Sequence, residues 1–358
     1  MTYDESILVF NLLEILQKHT DENHKINQTQ IQKILDDEYG RSVVRKTIKE
    51  NMERIIWHYE NSSRKKVNYK IQKRNYTNKK TNEVETYETY TDFHYLHKFS
   101  HGELRLIIDS ILFSKQIPSG QREQLIGKLE NLSSKHFNSR MGHIQTFSSD
   151  GPRNHELFVT IENLDEAIST RKQVSFHYNK YHVDEQSNLV FIPQTNRDGI
   201  VREYIMNPYQ IVTANGHYYL ICNNDKYNNL SHYRLDRITN IRVLDTARKP
   251  IRKVEGQENG LNLPKHMAEH IYMFRGESVS VKLKFPKPLL SDFVDWFGTD
   301  HIDFVAQTEG ELTARVRVNK MAMRKWALQY ATNVRVLSPE SLVDEIREDI
   351  RRALENYE

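Results

Sequence analysis

The sequence is poor in the residues and runs that mark several protein classes. Its 358 residues include one cysteine, Cys222, which excludes an internal disulfide and a metal cage built only of thiolates. With 13 Gly, 9 Pro and 38% hydrophobic residues, the chain has enough apolar material to exclude wholesale disorder. No run of 18 apolar residues occurs, and Asp4 and Glu5 stand where a signal peptide would be positive. We therefore expect a cytoplasmic protein with no membrane segment.

Signatures of catalysis are also missing. The chain has no glycine-rich phosphate loop, no Walker sequence, no His-Glu-x-x-His and no nucleophile elbow. Cys222 follows the apolar Leu220-Ile221, which predicts a buried and unreactive thiol. His94, His97 and His101 have helical spacing, but no nearby Cys or carboxylate of that segment completes a ligand set. We expect no enzymatic activity, no catalytic residue, no metal site and no cofactor.

The balanced overall charge conceals strong segregation. The chain has 51 Lys and Arg against 48 Asp and Glu, a formal net charge of +3. Residues 1–40 carry three Lys and eight acids, whereas residues 41–80 carry thirteen Lys and Arg against three Glu. A basic block of this kind is often only a solvated face, so the local pattern has to decide whether it binds nucleic acid.

Three helices are predicted before and within the basic block. Apolar residues recur with helical spacing from Ile7 to Leu16, and Asn27 can cap a short second helix that ends at Gly40. The apolar stripe of the third helix comprises Val44, Ile48, Met52, Ile55 and Ile56. Its other faces carry Arg45, Lys46, Thr47, Lys49 and Asn51. Two helices, a tight turn and a third helix with a basic face resemble a helix-turn-helix.

An alternating pattern follows the third helix. Residues 66–74 and 84–90 alternate as two strands around a polar loop, which predicts a hairpin, or wing. A winged helix places its third helix in the major groove and its wing along the phosphates, so basic residues belong on both. We predict DNA binding by Arg45, Lys46, Thr47, Lys49, Lys66, Lys70, Lys73 and Arg74. The alternative is a winged helix used only for protein contacts.

Two amphipathic helices are predicted after the hairpin. Ser100 or His101 can cap a helix that runs to Leu112, and residues 121–137 predict one further helix after the turn Pro118-Ser119-Gly120. Paired helices between domains commonly carry dimer contacts, although plain packing explains them equally well. The stretch 148–152, Ser-Ser-Asp-Gly-Pro, is the best domain boundary in the chain.

The middle of the chain predicts a small β domain. A short helix over residues 165–171 precedes strands at 174–178, 189–194, 204–212, 218–222 and 232–235. Turn sequences such as Asn196-Arg197-Asp198-Gly199 separate them, which favours a small barrel or sandwich.

Within these strands several motifs occur in a recognisable order. They are Ser175-Phe176-His177-Tyr178, Asn207-Pro208-Tyr209, Gly216-His217-Tyr218-Tyr219-Leu220 and Tyr233-Arg234-Leu235-Asp236-Arg237-Ile238. This order resembles the WYL domain of bacterial transcription regulators, although Tyr218 stands where the family name has Trp. The resemblance implies an Sm-like or SH3-like β-barrel that senses a ligand, behind a winged helix and before a C-terminal extension.

The same motifs bring together arginine and tyrosine. Arg234 and Arg237 can fork onto phosphate, and Tyr178, Tyr204 and Tyr219 offer faces on which bases can stack. Arg202 and His217 flank these positions and complete the set predicted to bind a nucleotide or single-stranded nucleic-acid effector. In the structural alternative the tyrosines are packing residues and Arg237 forms an ion pair with Asp236.

The last third predicts an α+β sandwich. Residues 263–274 read as a short helix, followed by strand 279–285, helix 289–297, strands 302–306 and 312–318, a helix capped by Asn319, strand 334–337 and a final helix from Glu340 to Tyr357.

Together these features predict an α+β multidomain protein. Its predicted parts are a winged helix-turn-helix at 1–95, a helical linker and dimerisation segment at 96–150, the WYL domain at 151–250 and a C-terminal extension domain at 251–358. The expected function is a homodimeric transcription regulator that binds a double-stranded operator and responds to an effector. The alternative is a non-enzymatic protein-interaction adaptor or nucleic-acid-binding accessory protein.

Overall fold

The computed structural model describes residues 3–62, 65–77, 84–114, 116–138 and 154–358. The chain divides into two compact units, one of residues 1–114 and 119–150 and one of residues 115–118 and 151–358. No helix in the described residues is long and apolar enough to cross a membrane. The domain boundary predicted at 148–152 and part of the predicted wing loop lie outside the described residues.

The first unit is helical with one hairpin. Its elements are α1 Tyr3–His19, α2 Gln28–Tyr39, α3 Arg45–Glu60, β1 Val67–Thr77, β2 Val84–Tyr95, α4 His101–Leu112, α5 Ser119–Glu130 and α6 Lys135–Asn138. Strands β1 and β2 pair antiparallel from Val67 opposite Tyr95 to Thr77 opposite Val84. The core is formed by the inner faces of α1, α2 and α3 together with Val67 and Phe93 of the hairpin.

The ends of α2 are set by local sequence. The Asn27 side chain accepts a hydrogen bond from the Gln30 backbone N–H, and the Gln30 side chain accepts one from the Asn27 backbone N–H, which makes a reciprocal capping box. At the other end Gly40 adopts a left-handed conformation with φ of 62°, which a residue without Cβ accommodates most easily. These two signals confirm the second predicted helix.

Helix α3 confirms the third predicted helix, but the predicted burial was wrong for two of its residues. Val44 is the N-cap and is 66% exposed, because it precedes the first helical turn and so lies outside the buried stripe. Asn51 is only 1% exposed, although its polar side chain predicted an outer face. Its amide donates to the Thr47 carbonyl at 2.8 Å and accepts from Arg54 at 3.1 Å. These hydrogen bonds make burial of the amide tolerable.

The linker helices are confirmed in part. The Ser100 side chain caps α4 in a capping box with Glu103, so Ser100 and not His101 is the N-cap. The single helix predicted over residues 121–137 is two helices, because the turn at 131–133 interrupts it before α6. Apolar spacing alone did not reveal this break.

The second unit begins with α7 Leu157–Thr170, which is longer than the helix predicted at 165–171. Six strands follow: β3 Lys172–Val183, β4 Leu189–Pro193, β5 Glu203–Ala214, β6 His217–Asn223, β7 Leu230–Arg234 and β8 Ile238–Ala247. The order is β4-β3-β5-β6-β7, with β8 paired to β3. The first half of β3 pairs with both β5 and β8, and its second half pairs with β4, so the sheet curls around Phe176. Strand β8 was not predicted.

The remaining elements form a four-stranded sheet with helices. They are α8 Leu263–Glu269, β9 Ser278–Pro286, α9 Leu290–Phe297, β10 Ile302–Gln307, β11 Glu311–Asn319, α10 Lys320–Gln329, β12 Arg335–Ser338 and α11 Glu340–Glu355. The antiparallel order β10-β11-β9-β12 with crossing helices is the β-α-β-β-α-β arrangement of ferredoxin-like folds. Trp326, Phe293 and Phe285 fill its core. Helix α8 ends at Glu269, five residues before the predicted end.

Candidate functional site

The basic residues predicted on the third helix lie in its first turns. Arg45 and Lys46 are exposed, and Thr47 and Lys49 are half-buried. Lys46 and Lys49 approach Glu50 and Glu53 at 4.0 and 3.7 Å, as i,i+4 pairs on a surface. Such exposed pairs contribute little free energy, so both lysines remain available to an anion. The N-terminus of α3 adds the positive end of the helix dipole at this place.

The basic residues predicted on the wing lie on β1 or just before it. Lys70, Lys73 and Arg74 are exposed, and Lys66 is half-buried. Lys70 lies 3.5 Å from Asp92, and Lys73 lies 3.7 Å from Glu88 on the neighbouring strand. Among the described residues, Arg45, Lys66 and Arg74 have no carboxylate within 4.0 Å, and Lys66 lies over the Tyr59 ring. Arg45 and Arg74 are therefore the exposed cations of the set without a carboxylate partner in this part of the structure.

A cluster of tyrosines occupies the second unit where β3, β5 and β7 meet. The ring of Tyr178 packs edge-on against Tyr233 with centroids 4.9 Å apart, and Tyr204 lies 5.6 Å from Tyr233. Phe176 stacks on Tyr204 at 5.8 Å, and the Tyr204 hydroxyl donates to Gln194 at 2.8 Å. The buried parts of this cluster are packing residues, as the structural alternative predicted.

Arg234 is fixed at the end of β7. Its Nε and Nη2 atoms donate to the two carboxylate oxygens of Asp236 at 3.0 and 2.6 Å, and its backbone N–H donates to the Tyr178 hydroxyl at 3.2 Å. Burial opposes the Arg234 charge, but the hydrogen bonds and charge of Asp236 outweigh it and raise the Arg234 pKa. Burial likewise raises the pKa of Tyr178 and of Tyr219. The predicted ion pair of Asp236 with Arg237 is thus formed by Arg234.

The other predicted effector residues surround this pair. Tyr219 stands opposite Arg234 in the β6–β7 register, and His217 Nδ1 lies 3.9 Å from Asp236 Oδ2. The guanidinium of Arg202 is exposed and lies 4.6 Å above the Tyr204 ring. The half-buried Arg237 lies 5.7 Å from the ring of Tyr181. The structure therefore brings all seven predicted residues into one connected region.

Two residues of this region were missed by sequence reasoning. Tyr233 joins Tyr178 to Tyr204, and its hydroxyl accepts a hydrogen bond from Arg275 at 2.5 Å. Burial raises the pKa of Tyr233 to about 12, against the opposing charge of Arg275. The position of Arg275, 42 residues along the chain, carries no local signal of this contact.

Cys222 lies in the interior of β6. It is fully buried, and burial raises its pKa. The thiol donates to the Ser231 carbonyl at 3.6 Å. The prediction of a buried thiol is confirmed.

The three histidines weighed as metal ligands in the sequence have separate partners. His94 Nδ1 faces the Asp92 carbonyl, His97 faces the carbonyls of Thr20 and Leu132, and His101 lies 3.6 Å from Asp21. They do not converge on one point.

A different histidine set does converge. In the described residues His232, His266 and His270 form a group of potential ligands in which one ring nitrogen from each residue lies within 4.8 Å of the other two. Burial lowers the pKa of His232 and of His266 to about 3, with neighbouring histidines contributing in the same direction. The sequence signals this group only through the i,i+4 spacing of His266 and His270. His232 comes close to them only in the folded protein.

Two segments of the second unit match known domain families. Residues 159–243 match the WYL domain and residues 277–354 match the WCX domain, so the predicted WYL domain is confirmed and contains all seven predicted effector residues. No curated protein matches the chain.

Solved structures give distant similarities. Proteasome accessory factor B/C (PafBC) of Arthrobacter aurescens is 16% identical with a TM-score of 0.27, over 99% of this chain and 49% of that chain. A CRISPR Cas-related protein is 13% identical with a TM-score of 0.36, over 99% of this chain and 84% of that chain. The chain therefore spans about half the length of the PafBC chain.

Proposed function

We propose that this protein is a DNA-binding transcription regulator whose WYL domain senses a nucleotide or single-stranded nucleic-acid effector. In this proposal α1, α2 and α3 with the hairpin β1–β2 form a winged helix-turn-helix. Helix α3 enters the major groove and β1 follows the phosphate backbone. The chain acts as a homodimer on paired half-sites and has no catalytic role.

The observation that carries the DNA-binding part is the exposure of basic side chains on two adjacent elements. Arg45 and Lys46 project from the first turn of α3, and Lys70, Lys73 and Arg74 project from β1. Other side chains of α3, such as Ile48 and Met52, are buried and belong to the core. A basic first turn of α3 and a basic strand β1 in the same unit match the contacts that a winged helix makes with a duplex.

The sensing part is supported by the composition of the WYL region. Arg202 and Arg237 place guanidinium groups beside the rings of Tyr204 and Tyr181, an arrangement suited to phosphates and stacked bases. Arg234 is held in place by Asp236, so its remaining donors have a fixed direction. A ligand that competes for this guanidinium would disturb both β7 and the turn that follows it.

A gel shift with salt titration tests the DNA-binding part. The probe is duplex DNA from upstream of the gene. The natural protein is compared with a double variant that carries Arg45→Ala and Lys46→Ala. The logarithm of the affinity should fall steeply with the logarithm of salt concentration, and the double variant should lower that slope by about 2.

Lys128→Ala is the matched control, because Lys128 is an exposed lysine of α5 in the same unit. It should leave both affinity and slope unchanged. Absent or salt-independent binding by the natural protein would overturn the regulator proposal and favour the protein-interaction adaptor.

A second experiment tests sensing separately. Fluorescence anisotropy of a labelled single-stranded DNA oligonucleotide is measured in the Arg45→Ala/Lys46→Ala background, so that the first unit contributes little. Arg202→Ala should weaken binding several-fold at unchanged melting temperature, because Arg202 is exposed and stabilises little by itself. Equal binding by the Arg202 variant and its parent would contradict a role for Arg202 in the effector site.

A further inference from the structure

Three histidines from two elements of the second unit meet at one point. His232 belongs to β7, His266 to α8, and His270 is the residue that ends α8. The Nε2 atoms of His232 and His266 are 2.8 Å apart, and the rings of His266 and His270 stack with centroids 4.2 Å apart. We call these residues the histidine cluster.

The spacing of the histidines and the hydrogen bond that orients His270 resemble those of metal ligands. His266 and His270 are four positions apart, a spacing that brings two side chains to one face of a helix. The Nδ1 atom of His270 lies 3.0 Å from the His266 carbonyl, so its N–H is committed there and Nε2 is left with a free lone pair. Bonding the second ring nitrogen to a carbonyl is how proteins orient histidine ligands.

The cluster opens onto a cavity. This cavity has a volume of about 760 Å³ and is lined by all three histidines. Four carboxylates and three cationic side chains share its wall, including Glu269 and Arg317, which lie 3.3 Å apart. An ion can therefore enter from solvent, and water or a carboxylate can complete its coordination.

We propose that the histidine cluster is a binding site for a divalent transition metal, with Zn²⁺ as the best match. Three imidazole nitrogens suit Zn²⁺ in a tetrahedral site, with the fourth position facing the cavity. Zn–N bonds of about 2.0–2.1 Å place ligand atoms roughly 3.3 Å apart. The existing separations, from 2.8 Å to no more than 4.8 Å, bracket that value. Reaching it would require the imidazole rings to rotate, since His266 and His270 are stacked in the ion-free protein.

Metal binding by the histidine cluster requires no net gain or loss of protons. In the ion-free protein one Nε2 of the His232–His266 pair carries the hydrogen of their 2.8 Å contact. When the ion binds, that hydrogen moves to Nδ1 of the same ring, and both Nε2 lone pairs point to the metal. Neutral imidazole is the binding form, so no net proton release accompanies binding at pH 7.

The ion would connect two parts of the unit that the chain separates. Strand β7 belongs to the WYL domain, whereas α8 lies between the WYL and WCX matches. A shared metal would hold α8 against β7 and thereby fix the start of the segment that leads to the WCX domain. This proposal does not depend on DNA binding or on effector sensing.

Cobalt titration of the full-length, tag-free protein tests the site. The protein is first treated with a chelator and then titrated with Co²⁺, whose visible absorption reports tetrahedral coordination by nitrogen. We expect saturation at one ion per chain, displacement of Co²⁺ by Zn²⁺, and a higher melting temperature with Zn²⁺ than without it.

The variants are His232→Gln and His270→Gln, each with a melting curve recorded without metal to establish that it folds. Each should lower the affinity at least tenfold, since even outer partners of metal ligands contribute that much. His301→Gln is the control, because His301 is exposed in the same unit, and its affinity should be unchanged. Substoichiometric binding, or equal affinity in folded His270→Gln and the natural protein, would overturn the proposal. If only one of the two variants folds, its metal affinity alone tests the proposal.

Discussion

The side chains of Arg234 and Asp236 form a two-point ion pair across the turn between β7 and β8. The two hydrogen bonds are 3.0 and 2.6 Å long, and the side chains are only 21% and 10% exposed. The pair closes the turn Leu235–Arg237, which carries the chain from one strand to the other. The backbone N–H of Arg234 donates to the Tyr178 hydroxyl, and Tyr219 stands opposite Arg234 in the β6–β7 register. One contact therefore serves both the fold and the candidate effector site.

Changing Asp236 to Asn should destabilise the second unit. The substitution removes a charged acceptor from two hydrogen bonds, and bonds to charged groups contribute about 1.5–3 kcal/mol. We expect the free energy of unfolding, measured by urea denaturation, to fall by about this amount. Asp198→Asn is the control, since Asp198 is exposed in a turn, and it should have almost no effect.

A double-mutant cycle separates the pair from its neighbours. Arg234→Ala, Asp236→Asn and their combination should show clear coupling, because each substitution removes the same interaction. Strictly additive free energies would show that the two side chains act independently.

Stability of the first unit should decrease in acid through Asp21. Burial of Asp21 opposes its charge, but hydrogen bonds from Ser134, His24 and Asn23 outweigh burial and hold the Asp21 pKa well below its usual range. The folded protein thus favours the carboxylate. Its contribution is fully present above the unfolded pKa of about 3.9 and is lost as the pH falls below that value.

Urea unfolding followed from pH 2.5 to 7 checks this prediction with Asp21→Asn as the reference. The natural protein should be more stable than the variant near pH 7, and the difference should shrink steadily below about pH 4. His24 and His101, which lie 2.8 and 3.6 Å from Asp21, are common to both proteins. A difference that does not change with pH would contradict the assignment to Asp21.

Cys222 should be protected from thiol reagents in the folded protein. Its thiol is fully buried and its pKa is raised by burial, so both access and thiolate formation are limited. We expect almost no reaction with a disulfide reagent under native conditions and one thiol per chain in denaturant. Rapid native labelling would mean that β6 opens locally, and its rate would measure that opening.

Asn27→Ala should weaken α2, the helix that precedes the proposed DNA-reading helix. The substitution removes one half of the capping box with Gln30, which costs about 1 kcal/mol. Thermal or urea unfolding of the variant measures the loss. Thr29→Ala, an exposed change in the first turn of the same helix, should have a much smaller effect. Equal losses would contradict a specific role of the cap.

Local signals in the sequence determined most of the secondary structure. The caps Asn27, Ser100 and Asn319 fix where three helices start, and strand alternation reveals the hairpin and the curled sheet. Such signals act over a few residues, which is why they can be read without a fold. The break between α5 and α6 escaped because the apolar spacing continues through it. Strand β8 was overlooked although its β-branched residues Ile238, Ile241 and Val243 are typical of a strand.

The sequence also determined which residue types could bind an anion, through the basic block at 41–80 and the Arg-Leu-Asp-Arg motif at 234–237. Only the tertiary structure decided the partners: Asp236 pairs with Arg234, Arg275 reaches Tyr233, and His232 meets His266. Two of these contacts join residues more than 30 positions apart. Hydrogen bonds and ion pairs act over a few ångströms in space, so folding selects them among many chemically equivalent candidates.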